Sequence, residues 1–152
     1  HMVDAQVQTD WTEVLLTGAV DVGIFAQNVL LTAESLGLGG VFIGSLRNDL
    51  PQLSQILQLP KGVVPMVSMC LGHPDHDPGQ RPRLPLSVVM GENRYRTATA
   101  EELAQYDEVV REYYQNRSKL DLTWTQQIRN NLCGEVRPSV LPYLQEQGFA
   151  KK

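Results

Sequence analysis

Between Val14 and Leu38 apolar residues dominate the chain and leave almost no polar face. Leu15, Ala19, Val22, Phe25, Ala26, Val29, Leu30 and Ala33 recur at helical spacing, which predicts a long helix from Trp11 to about Leu36. Other apolar residues occupy its remaining faces, and a helix of that kind has to be covered on most sides. It is expected to be central to the fold, or shared with a partner subunit. Asp21, Gln27, Asn28 and Glu34 lie inside the run and speak against a membrane span. Gly37, Gly39 and Gly40 then stop the helix.

After the helix, Val41-Phe42-Ile43 reads as a short buried strand that turns out through Gly44-Ser45. Asn48-Asp49 with Pro51 opens a second helix to about Leu59. Val63 to Gly72 reads as another buried strand, with Pro65 near its beginning. Pro74, Pro78, Pro82 and Pro85 mark a loop from His73 to Pro85, and Leu86 to Met90 is predicted to be a third short strand. Thr99 is a helix N-cap, with Glu101 and Glu102 complementing the dipole of a helix that runs to about Asn116. Asp121 or Thr123 begins a helix to about Leu132, and a last one spans Pro138 to Gln147, closed by Gly148. This order suits an α+β domain with a small mixed or antiparallel sheet, not a doubly wound parallel one.

The 152 residues suffice for a single domain with a core, expected over residues 3–152. His1-Met2 reads as a cloning remnant outside the fold. A net charge of -4 argues against a general nucleic-acid binder. Cys70 and Cys133 stand far apart without CxxC spacing, which suits a reducing compartment, and a cytoplasmic location is expected. His1, His73 and His76 assemble no plausible metal set with them.

Three places could carry chemistry. Gly39 to Asn48 ends a strand in Gly44 just before a helix, so successive backbone N–H groups can point at an electron-rich ligand. A tight strand-to-helix turn that needs glycine explains the same pattern. Arg81-Pro82-Arg83 projects two guanidinium groups from a stiffened backbone, as a phosphate clamp does; a solvated basic loop is the plainer alternative. Arg117-Ser118-Lys119 is a basic cluster at a helix C-terminus, where dipole compensation alone can account for it. There is no GxSxG, HExxH or Walker loop. An enzyme built this way leaves the hard chemistry to a cofactor.

Taken together these motifs resemble a known family. The run Ala26-Gln27-Asn28 through Ala33-Glu34-Ser35-Leu36-Gly37-Leu38-Gly39-Gly40 to Ile43-Gly44-Ser45-Leu46-Arg47-Asn48 is similar to the oxygen-insensitive NADPH nitroreductase and flavin reductase P branch of the nitroreductase superfamily. So are Cys70-Leu71-Gly72-x-Pro74, Arg81-Pro82-Arg83-Leu84-Pro85, Glu92-Asn93-x-Tyr95, Gln105-Tyr106-Asp107, Glu112-Tyr113-Tyr114, Thr123-Trp124 and Arg137-Pro138. The likeness is to the C-terminal two-thirds of such proteins, in the right order, from about Gly18 to Lys151.

The resemblance implies an α+β, nitroreductase-like homodimer that carries FMN at its interface. It implies that Phe42, Ile43, Gly44 and Ser45 face the flavin ring, and that Arg81 and Arg83 hold the FMN phosphate. The family has lysine at the first of these two positions, and Arg81 keeps the charge with a different geometry. Arg117 matches the arginine that recruits the extra phosphate of NADPH, with Lys119 as a second basic contact. The implied reaction is ping-pong hydride transfer from NADPH through FMN to nitroaromatics, quinones or free flavin, with no catalytic side chain. Family members also begin with a segment bearing a His-Arg-Ser-x-Arg run on the FMN phosphate, and nothing in this sequence resembles it. The chain is therefore expected to be a truncated form that binds FMN weakly or not at all. The alternative is a non-catalytic dimerisation or flavin-binding module.

Overall fold

The computed structural model describes residues 7–152; His1 and Met2 lie outside the described residues. The chain divides into two compact units, one of residues 7–76 with 137–152 and one of residues 77–136.

In the first unit, α1 spans Thr12–Ser35 and ends as glycine punctuation requires. Gly37 takes φ +79 and its N–H returns to the Glu34 carbonyl, while Leu38 N–H returns to Ala33. β1 (Gly39–Ile43) follows, then a single 3-10 turn over Ser45–Asn48 and α2 (Leu50–Leu57). Asp49 caps α2 by accepting from Gln52 N–H at 3.0 Å, and Pro51 sits in the first turn. β2 (Ser68–Gly72) pairs antiparallel with β1, Gly39 opposite Gly72 and Ile43 opposite Ser68. These two strands form the one sheet among the described residues.

α1 packs on this sheet through Gly40, where a side chain would strike Leu30 and come within 2.8 Å of Leu71. The unit closes with α6 (Val140–Gln147), whose buried Tyr143 exchanges a hydroxyl hydrogen bond with Ser54 of α2. The chain end returns to the start of α1. Thr12 N–H and Oγ1 both donate to the Lys152 carbonyl, at 2.9 and 2.6 Å.

In the second unit, α3 is one turn (Leu86–Val89), α4 spans Ala100–Ser118 and α5 spans Trp124–Leu132. Thr99 and Thr123 each form a full capping box, with Glu102 and Gln126 respectively. Tyr106, Val110 and Thr123 are the buried side chains of this unit, and Trp124 meets Tyr106 edge-on at 6.0 Å.

Three expectations need correction. Leu86–Met90 is helical: Val89 and Met90 N–H reach back to Pro85 and Leu86, and a run this short carries no decisive period. The second strand begins at Ser68, because residues 63–67 have no strand partner. The Met66 carbonyl instead accepts from the Arg47 guanidinium. Neither strand is buried, since Val41 is 54% and Leu71 44% exposed.

α1 is largely exposed among the described residues. Only Ala26 and Ala33 are buried on it, and Leu16, Val20, Ile24, Phe25 and Leu31 are open to solvent. Two short strands are too small to cover a helix that is apolar on every side. By length and composition alone α1 is also able to cross a membrane, a test that core helices of soluble proteins pass as well.

Candidate functional site

In the first unit the strand-to-helix turn has the shape an acceptor-bearing ligand needs. β1 ends at Ile43, Gly44 takes φ -91 and ψ -14, and the 3-10 turn begins at once. The backbone N–H groups of Gly44, Ser45 and Leu46 find no acceptor among the described residues. Phe42 and Ser45 are exposed, while Ile43 and Gly44 are half-buried. A Cβ on Gly44 would sit 3.2 Å from Arg47 Nη2, so Arg47 packs against the bare glycine. The same guanidinium holds the Met66 carbonyl and thereby ties the turn to the segment before β2. Arg47 stands in the sequence motif without a role; its contact partner lies nineteen residues away and has no local signature.

Beside this sheet lies an apolar groove of about 390 Å³, lined by Phe25, Val29, Ala33, Leu36, Leu38 and Leu71.

The second unit holds the basic residues. Arg81 is exposed; its Nη2 donates to Gln127 Oε1 at 2.8 Å, and its guanidinium carbon lies 5.8 Å from the centre of the Tyr114 ring. The Pro82 carbonyl between the two arginines accepts from the buried Tyr106 hydroxyl at 3.1 Å. Arg83 lines a separate cavity of about 320 Å³ with Ser87, Glu102, Gln105 and Tyr106. Among the described residues neither Arg81 nor Arg83 is in an ion pair, so both charges are available to an anion.

Arg117 lies 5.7 Å over the Tyr113 ring and bonds its hydroxyl. Tyr113 and Tyr114 themselves meet edge-on at 5.2 Å, so Arg81 and Arg117 rest on one aromatic pair. Lys119 is the exposed left-handed C-cap of α4, with φ +57. The linker after it is held by Arg111, whose Nε meets Asp121 Oδ1 at 2.9 Å. Hydrogen bonding to Glu108 first, and then to Asp121, raises the Arg111 pKa above its ordinary value.

No group of three or more His, Cys, Asp or Glu side chains is arranged to hold a metal among the described residues. The unpartnered N–H groups of the first unit suit an electron-rich ligand edge, and the guanidinium groups of the second suit a phosphate.

Comparison with known proteins decides the lineage. Residues 16–73 match the Nitroreductase family, and residues 81–152 match the Nitroreductase family, C-terminal domain. The chain belongs to the nitroreductase family. Among its nitroreductase relatives, an NADPH-flavin oxidoreductase of Vibrio harveyi is 48% identical over 99% of this chain and 63% of its own length. An oxygen-insensitive NADPH nitroreductase of Salmonella typhimurium is 45% identical over 95% of this chain and 61% of its own.

The nitroreductase fold is matched as well. Nitroreductase A of Vibrio parahaemolyticus superposes with a TM-score of 0.92 at 49% identity, covering 98% of this chain and 62% of that one. The NADPH:FMN oxidoreductase of Vibrio harveyi complexed with NAD+ gives 0.89 at 47% identity, with the same two coverages. The chain thus spans about three-fifths of the length of the nitroreductases it matches.

Proposed function

We propose that the protein carrying this chain is a cytoplasmic, homodimeric, NADPH-dependent oxidoreductase that uses FMN and reduces nitroaromatics, quinones or free flavin. The observation that carries this reading is 48% identity to an NADPH-flavin oxidoreductase through 99% of the chain. Bound FMN supplies the hydride-accepting and electron-donating centre.

The remaining work falls to this chain's residues. Gly44 and Ser45 aim unpaired backbone donors at the ring edge, where they favour electron density, and Phe42 and Ile43 supply apolar surface beside them. Arg81 and Arg83 hold the phosphate. Arg117 and Lys119 attract the phosphate that distinguishes NADPH from NADH. No side-chain acid or base is assigned a step. The exposed apolar face of α1 supports dimerisation, because Leu16, Val20, Ile24 and Phe25 are left uncovered by the chain itself. A non-catalytic flavin-binding module is not favoured by relatives that are named as reductases.

The test is NADPH consumption with added FMN and a quinone or nitroaromatic acceptor, compared with NADH. Acceptor-dependent oxidation that favours NADPH, and loses that preference in Arg117→Ala, is the expected result. Consumption indifferent to FMN would sink the reading.

A further inference from the structure

The amide of Gln127 is held at both ends. Its Nε2 donates to the Thr123 carbonyl one turn earlier on α5, at 3.1 Å. That bond settles which end of the amide is oxygen, and Oε1 is thereby turned outward. Oε1 accepts from Arg81 Nη2 at 2.8 Å and from the Tyr114 hydroxyl at 3.2 Å. Thr123 is itself fixed, being 4% exposed and the N-cap of α5. Behind the arginine, the Tyr114 ring lies 5.8 Å from the guanidinium carbon. The Tyr106 hydroxyl holds the next carbonyl along the chain.

From this geometry we infer that Gln127 is a positioning residue for Arg81: it sets the plane of the guanidinium so that its other N–H groups are presented to the flavin phosphate. The inference rests on the reading of Arg81 as a phosphate-holding residue. A guanidinium is a planar fork, and its value for a phosphate depends on the direction in which the fork is turned. Gln127 engages one of its five N–H groups and the remainder have no partner among the described residues. A lysine ammonium rotates freely and has no plane to set, so the role exists only while an arginine occupies position 81. Arg81 and Gln127 act as a matched pair from segments 46 residues apart.

The first readout needs no flavin. In the intact chain, NMR of the Arg81 guanidinium should show separate, slowly exchanging Nη signals that merge in Gln127→Leu. Freely averaging Nη signals in the unsubstituted protein overturn the inference. The second readout is the ratio of FMN to riboflavin affinity, which isolates the phosphate. Gln127→Leu should lower this ratio by about three- to tenfold, the equivalent of one hydrogen bond. In an Arg81→Lys background, Gln127→Leu should change nothing. A structural role for Gln127 would weaken both flavins equally and leave the ratio unmoved, which contradicts the inference. If Arg81→Ala itself leaves the ratio unchanged, it is the phosphate reading of Arg81 that has failed.

Discussion

Gly40 is the point where Leu30 of α1 touches the sheet: a Cβ at Gly40 would overlap Leu30 Cδ1 and lie 2.8 Å from Leu71 Cδ2. The helix approaches the strand as closely as it does because no side chain stands between them. Gly40→Ala is expected to cost about 1–3 kcal/mol, the range for overpacking a contact that cannot open. Urea unfolding of the two proteins side by side measures it. A change within experimental error would mean that α1 does not pack on β1 at this position.

Lys119 occupies a left-handed C-cap at φ +57, a conformation that costs an L side chain and suits glycine. Lys119→Gly should therefore stabilise the protein, by about 0.5–1 kcal/mol. If the same side chain also meets NADPH, the substitution raises KM for NADPH roughly two- to fivefold, the worth of one exposed charge contact, and leaves KM for NADH alone. Stability and cofactor preference then move in opposite directions. Unchanged discrimination between the two nucleotides would remove Lys119 from the cofactor site.

At the chain's end, Lys152 Nζ lies 2.6 Å from Asp10 Oδ2, and this hydrogen bond holds the Asp10 carboxyl below its ordinary pKa of 3.8. A depressed carboxylate contributes stability that is present above the ordinary value and lost as pH falls through the folded one. Asp10→Asn should therefore lower stability at neutral pH, with the difference from the unsubstituted protein disappearing as pH falls below the carboxylate range. Denaturation midpoints at neutral and strongly acidic pH give the comparison. A difference that persists in acid would mean that packing, not charge, ties the ends together.

What could be read from sequence was what local chemistry determines. Thr99 and Thr123 cap helices through residues three positions away, and Gly37 and Gly148 end helices through their own φ angles, so these boundaries were legible. Leu86–Met90 was not, because five residues carry no period that separates one helical turn from a short strand. The apolar wrap of α1 told that the helix needs covering without telling what covers it. Type and spacing name Gly44, Arg81, Arg83 and Arg117 as candidates and leave a plainer structural explanation open for each. Gln127 carries no sequence signal, and Tyr113 and Arg47 stand in the motifs without a role, because what matters is where they point, and their partners come from contacts the fold creates.

The most direct test of the account is a comparison of FMN with riboflavin by NMR titration of the protein, a method that registers weak binding. The account predicts that FMN shifts the amide signals of Gly44, Ser45 and Leu46, whose N–H groups have no acceptor among the described residues, and the guanidinium signals of Arg81 and Arg83. Riboflavin at the same concentration should leave the arginine signals in place. Equal responses to both flavins, or FMN shifts that bypass the Gly44 turn and both arginines, would contradict it.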